Sequence, residues 1–189
     1  MNVYLFLYED FADFEIVQSL LLLREHKLTT VSFSKGLVRS IGNLKVEADI
    51  SIEELKTKDV DVFIIPGGEP KKFIRNKSYS DKINCLNEKL QGLFSEEKII
   101  GAICGGPTFL ANAGILDGKK CTASIAEDEE IFYEKSLFRD NDFEQDGSIL
   151  TAKGEAFTEF AVTLASMCNI IKTEEEMAEA INWFRNIKS

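Results

Sequence analysis

The sequence predicts an α/β fold whose mainly parallel sheet is covered by helices on both faces, and three observations support this. Nearly unbroken apolar runs at 3–8 (VYLFLY), 60–66 (VDVFIIP) and 98–103 read as strands buried on both sides. Between such runs lie stretches of helical rhythm, as where apolar residues recur at 11, 14, 16, 17, 20, 21 and 23. Glycine turns follow two of the strands, Gly67–Gly68 after the second run and Gly105–Gly106 after the third. Strands that alternate with helices need crossover connections, and those build parallel sheets.

In chain order, the first strand is followed by a helix over 11–27. The β-branched alternation of 28–34 (LTTVSFS) gives a second strand. A hairpin follows over 36–49, its arms 37–41 and 44–48 joined at Gly42–Asn43. A short helix over 51–58 starts with Ser51 and Glu54 at capping-box spacing. After the strand at 60–66, helical period returns over 78–94, and another helix opens near Pro107. Residues 121–125 read as a strand, 126–138 as a helix and 143–152 as a hairpin turning at Asp146–Gly147. Two helices close the chain, 156–168 and 173–187. Glu174–Glu176 form a favourable acidic start for the last one, and Trp183 and Phe184 are predicted core or dimer contacts. With 3 prolines, no repeat and no low-complexity tract, the 189 residues read as one domain over 1–189.

Charge narrows the function. A net charge of −10 disfavours nucleic-acid backbones and anionic membrane surfaces. No apolar run reaches spanning length, and the N-terminus lacks a basic leader, so no secretory signal is predicted. The 4 cysteines (85, 104, 121 and 168) form no CxxC or CxxH pair, which argues against a zinc knuckle or disulfide framework. A reducing, cytoplasmic setting follows. There is no GxGxxG and no GxxxxGK[ST], and no metal or other cofactor is expected.

The most informative stretch is KIIGAICGGPTFLANAGIL, residues 98–116. Ala102, Cys104 and Gly106 have the small–x–nucleophile–x–small spacing of a strand-to-helix elbow that exposes its central side chain. The helix beginning near Pro107 would turn its positive end toward the sulfur and favour thiolate. A buried core cysteine before an ordinary turn is the competing reading. In parallel sheets, ligands sit beyond the carboxyl ends of the strands. Three features fall there together: the segment from Glu9 to Glu15, the Gly67–Gly68 turn and the Cys104 elbow. That convergence favours a functional cysteine.

Further motifs lie in order along the chain: PGG at 66–68, GAICGGP at 101–107, LANAGILDGKKCTA at 110–123 and ILTAKG at 149–154, with Glu15 ahead of them. In this combination the chain resembles the ThiJ/PfpI superfamily (the DJ-one family) of the class I glutamine amidotransferase-like group. The resemblance implies a flavodoxin-like three-layer sandwich with a nucleophile elbow, usually a homodimer. It implies that Cys104 is the elbow cysteine and Glu15 the acid that contacts its sulfur. Gly67, Gly68 and Gly105 match the positions whose N–H groups line an anion pocket. Such donors would stabilise an oxyanion, or the oxygens of an oxidised cysteine. Taken alone, Glu15 reads as a solvated helix-face glutamate.

The chain departs from the family pattern at histidine. Its single histidine, His26, lies about eleven residues beyond Glu15, roughly 16 Å along a helix axis, and reads as a surface or helix-end residue. Family members often carry histidine directly after the elbow cysteine, where Gly105 stands. Others carry it after the following strand, where Ser124 stands. Proton transfer by a Cys–His pair is therefore not expected. Three readings remain. One is a hydrolase, hydratase or lyase acting on a small electrophile through Cys104 and Glu15. Another is a non-enzymatic redox or stress module whose Cys104 is oxidised. The last is a dimeric binding protein.

Overall fold

The computed structural model describes residues 1–126 and 128–187. A seven-stranded sheet forms its middle layer. In chain order the strands of that sheet are β1 (Asn2–Leu7), β2 (Lys27–Ser32), β5 (Ile50–Ser51), β6 (Val62–Ile65), β7 (Ile99–Ile103), β10 (Phe143–Asp146) and β11 (Ile149–Ala152). They lie side by side as β10-β11-β7-β6-β1-β2-β5. All neighbours are parallel except β10, which pairs antiparallel at one edge. The central strands β2-β1-β6-β7-β11, numbered in chain order, give the order 2-1-3-4-5 of flavodoxin-like sheets. The fold class read from the sequence is the one observed.

Helices α1 (Val17–Leu22), α5 (Phe157–Met167) and α6 (Glu174–Phe184) cover one face. Helices α2 (Lys71–Ile74), α3 (Ser80–Ser95) and α4 (Pro107–Asn112) cover the other. The long helix α3 buries Ile83, Leu86, Leu90 and Leu93, spaced at three and four residues so that one stripe meets the sheet. Phe6 from β1 contacts Phe33, Phe63 and Phe109, an aromatic cluster that ties α4 to the sheet. Among the described residues no helix is long and apolar enough to cross a membrane.

Both predicted hairpins form. One joins β3 (Gly36–Arg39) to β4 (Lys45–Ala48), with Asn43 left-handed at φ 67°. The other joins β10 to β11, with Gly147 at φ 63°. Three predicted helices differ. The helix over 11–27 is reduced to α1, because the chain before it is held by neighbouring strands. Asp10 is left-handed at φ 62°, Phe11 bridges to Ser40, and the Ala12 N–H donates to the Gly67 carbonyl at 2.9 Å. Only a 3₁₀ turn, Asp13–Glu15, precedes α1. The segment 51–58 holds two 3₁₀ turns, although its Ser51–Glu54 capping box forms.

The predicted strand at 121–125 and helix at 126–138 are also replaced. Here β8 (Lys120–Cys121) pairs in parallel with β9 (Leu137–Phe138), and a 3₁₀ turn, Glu130–Tyr133, lies between. The Leu137 and Arg139 N–H groups donate to Lys119 and Cys121 carbonyls, so they cannot close helical turns. In α6, Phe184 packs toward Val162 and Ala165 while Trp183 stays 71% exposed. Thr173 caps α6 through the Glu176 N–H, ahead of its acidic first turn.

Candidate active site

Strand register brings distant residues to one point. Ile65 of β6 lies opposite Ala102 of β7, so Gly67 runs on beside Cys104. Ala152 of β11 lies opposite Ile103, so Gly154 arrives on the other side. Beyond β1 the left-handed turn at Asp10 and the Ala12–Gly67 hydrogen bond swing Asp13–Glu15 across these strand ends. Glu15, the last residue of that 3₁₀ turn, is thereby 2% exposed. The site sits where β1 and β6 diverge to opposite halves of the sheet, the topological switch point.

Cys104 has φ 59°, a left-handed conformation that L-residues other than Gly, Asn and Asp rarely adopt. The strain, of order 1–2 kcal/mol, is held by hydrogen bonds on every side of the turn. Cys104 N–H donates to the Ala152 carbonyl at 2.8 Å, Gly106 N–H to Ile103 at 2.8 Å and Ser124 N–H to Cys104 at 3.0 Å. A Cβ on Gly106 would lie 2.8 Å from the Ile65 and Pro66 carbonyl oxygens, which is why the elbow needs a glycine there.

Glu15 and Cys104 are in hydrogen-bond contact. Glu15 Oε2 also accepts the Gly67 N–H at 2.8 Å. Two glycines make room for the pair. A Cβ on Gly154 would stand 3.0 Å from both Cys104 Sγ and Glu15 Oε1; one on Gly67 would stand 2.3 Å from Glu15 Oε2. Burial pushes the Glu15 carboxyl above the usual range, against the opposing effect of its Cys104 and Gly67 hydrogen bonds. Burial, the Glu15 charge and the Glu15 hydrogen bond push the Cys104 thiol up to about 11, while Ser124 and the Gly105 N–H favour the thiolate. Each member resists ionisation, and the charged carboxylate opposes the thiolate, so the two groups titrate as a coupled pair. The thiolate expected from the elbow helix is thus outweighed by burial beside a carboxylate.

Cys104 and Glu15 form the floor of a cleft of about 520 Å³, within the range of small-molecule sites. Ala12, Phe14 and Ile41 give it apolar walls, and Asp10 and Glu69 stand at its mouth. Gly68 lines it too, left-handed at φ 138° with Tyr8 and the Asp10 carbonyl packed where a Cβ would go. Among the described residues that line the cleft there is no Lys, Arg or His. No cluster of three His, Cys, Asp or Glu side chains suited to a metal occurs among the described residues.

The sequence-predicted residues therefore meet: Cys104, Glu15, Gly67, Gly68 and Gly105 surround one point. Gly67 differs in its role, because its N–H is committed to Glu15 instead of facing the cleft as an anion donor. Gly105 N–H points at the Cys104 sulfur. His26 is remote. It precedes β2 at the amino end of the sheet, with Nδ1 3.5 Å from the Met1 amine, whereas the cleft lies at the carboxyl end. Sequence reasoning gave no role to Gly154 or to Ser124. The ILTAKG run contains Gly154, but only the β11–β7 register shows that it faces the sulfur. Ile41, at the tip of the β3–β4 hairpin, likewise enters the cleft wall only through tertiary structure.

Comparison with known proteins gives the same frame. The model of the DJ-1/PfpI family matches residues 1–167. The chain is 27% identical over 150 residues to the deglycase PfpI of Pyrococcus furiosus, covering 76% of this chain and 84% of that one. It is 29% identical over 153 residues to the Bacillus subtilis protein YoaZ, described as an uncharacterized protease, covering 76% of this chain and 67% of that protein. A DJ-1 superfamily structure from Agrobacterium tumefaciens superposes with a TM-score of 0.82 over the full length of both chains at 23% identity. A 2-1-3-4-5 sheet, a left-handed elbow cysteine and a family match spanning nearly all of the described chain lead to one assignment: this chain belongs to the DJ-1/PfpI family.

Proposed function

We propose that this chain is a cysteine-dependent enzyme of the hydrolase, hydratase or lyase type. In this reading it acts on a small, uncharged carbonyl, amide or nitrile-like electrophile. The observation that carries it is the buried Glu15–Cys104 pair at the floor of a 520 Å³ cleft. The S–H bond breaks as its electron pair forms the S–C bond to the substrate, and the proton passes to the Glu15 carboxylate. Glu15 then returns that proton to the heteroatom of the adduct. A carboxyl raised by burial is the stronger base for this task, and its pKa lies nearer the working pH. Carboxylates at the mouth and apolar walls favour an uncharged substrate over an anionic one.

The test is turnover of a panel of such electrophiles by wild type, Cys104→Ser and Glu15→Gln. Loss of turnover in both variants, with unfolding curves showing that they fold, supports the reading. Wild-type rates in both refute it.

A second reading, a non-enzymatic redox or stress module, draws on access to the thiol. Cys104 lines the cleft, whereas Cys121 and Cys168 are buried. Limited peroxide followed by peptide mass spectrometry should then oxidise Cys104 ahead of Cys85, Cys121 and Cys168. Equal oxidation would count against it.

We also propose a homodimer. Val17 of α1 and Leu28 of β2 stand exposed along one groove with Leu44 of the β3–β4 hairpin, and Phe14 and Ile41 continue the apolar face. A second copy of this face would cover it.

A further inference from the structure

Ser124 is the residue at the elbow whose hydrogen bonds the reaction scheme leaves unused. Its backbone N–H donates to the Cys104 carbonyl at 3.0 Å, which fixes the residue against the turn. Its Oγ accepts the Gly154 N–H at 3.0 Å. A serine hydroxyl has a single hydrogen. With one lone pair taken by Gly154, that hydrogen is left to point elsewhere; the tie of Ser124 to the elbow sets it beside Cys104, whose thiolate it favours. Gly154 itself packs against the same sulfur, at 3.0 Å from the position of a Cβ.

We propose that Ser124 is a functional donor of this site: its hydroxyl, oriented by the Gly154 N–H, donates to Cys104 Sγ and holds the thiolate that forms when the thiol proton passes to Glu15. The sulfur is then bounded on three sides, by the Glu15 carboxyl that takes its proton and by the Ser124 hydroxyl and Gly105 N–H that stabilise the charge left behind. The step balances: the S–H bond breaks, an O–H bond forms on Glu15, and the electron pair stays on sulfur. A hydroxyl is too weak a base at neutral pH to accept the thiol proton. Ser124 therefore complements Glu15 and cannot replace it. Glu15 raises the energy of the thiolate and Ser124 lowers it, so the two residues act on the sulfur in opposite senses. Other titratable groups that feel this charge are Tyr8, just past β1, and Tyr133 of the 130–133 turn, both buried and both held in the neutral form by burial.

The proposal rests on Cys104 being the reacting group, but its test needs no substrate. The rate of Cys104 alkylation by iodoacetamide is measured against pH, by peptide mass spectrometry, in wild type, Ser124→Ala and Ser124→Thr. Ser124→Ala keeps the backbone N–H and so the tie to the elbow. Expected is about a tenfold slower alkylation at fixed pH and a midpoint about one unit higher, one pKa unit being tenfold in thiolate at a pH below both midpoints. Ser124→Thr, which restores the hydroxyl, should return the rate to within about twofold of wild type, on the same scale. Repeating Ser124→Ala in the Glu15→Gln background should give the same slowing, because the hydroxyl acts on sulfur directly. Alkylation of Ser124→Ala as fast as wild type, no recovery with threonine, or disappearance of the effect in Glu15→Gln would each overturn the proposal. A slowed Ser124→Ala alongside no turnover of any electrophile would leave Ser124 as donor and remove the enzymatic reading instead.

Discussion

The Gly67 N–H donates to Glu15 Oε2 at 2.8 Å, and this bond fixes the carboxyl that faces Cys104. It also defines what Glu15→Gln would do. Glutamine keeps an acceptor for Gly67 but carries no charge into the buried site. Because the folded-state pKa of Glu15 is raised, the protonated form is the one the fold prefers. The stability linked to this group is present in full below the unfolded carboxylate range and is lost as pH rises through the raised folded value. Glu15→Gln should therefore melt higher than wild type near neutral pH, by roughly 1 kcal/mol, as expected where a strained functional group is neutralised. The advantage should vanish below about pH 4, where both side chains are neutral. Thermal melts across that range check both halves, and a lower melting point for Glu15→Gln at neutral pH would contradict the account.

Gly154→Ala should separate the pair. The new methyl would sit 3.0 Å from Sγ and from Glu15 Oε1, closer than these atoms tolerate without moving. Overpacking of this kind costs about 1–3 kcal/mol. Urea titrations should show a loss of that size, with Cys104 alkylation changed from wild type. Unaltered stability and reactivity would mean that Gly154 has slack the structure does not show.

Val17→Asp should weaken self-association. Val17 is 58% exposed on α1, beside the apolar groove that reaches Leu44. A carboxylate there leaves a monomer intact, yet an interface between two copies would bury it unpaired. Sedimentation velocity should find a dimer for wild type and a shift toward monomer for the variant. A wild-type monomer at tens of micromolar would dispose of the proposed dimer.

Much of this was legible in the sequence, and the limits have physical causes. The buried strands announced themselves, since an apolar run such as 60–66 has few other uses. Hairpins at Asn43 and Gly147 were legible for a local reason, as residues that accept positive φ mark the turn. The first helix was overextended because periodicity registers apolar spacing but not the fate of backbone N–H groups, and Ala12 donates across to Gly67. The segment 126–138 failed in the same way, with β9 pairing to β8 instead. At the site, Cys104 and the Gly67–Gly68 and Gly105–Gly106 turns carry a local signature. Glu15 stood out only through the family resemblance, since a glutamate on a helical pattern is usually solvated. Ser124 was marked only as the place where relatives carry histidine; its bonds to Gly154 and Cys104, and the place of Gly154 beside the sulfur, appear only in the tertiary structure, since the partners lie far apart in sequence.

Cys104 and Glu15 are coupled at the centre of the site, the thiol raised to about 11 by burial and by its carboxylate neighbour. The most direct measurement is the pH midpoint of Cys104 alkylation in wild type and in Glu15→Gln. Removal of the charge and of the hydrogen-bond acceptor should bring the midpoint down and speed alkylation at neutral pH. A midpoint unchanged by Glu15→Gln, or moved upward, would show that the Glu15 carboxylate does not hold the thiol up.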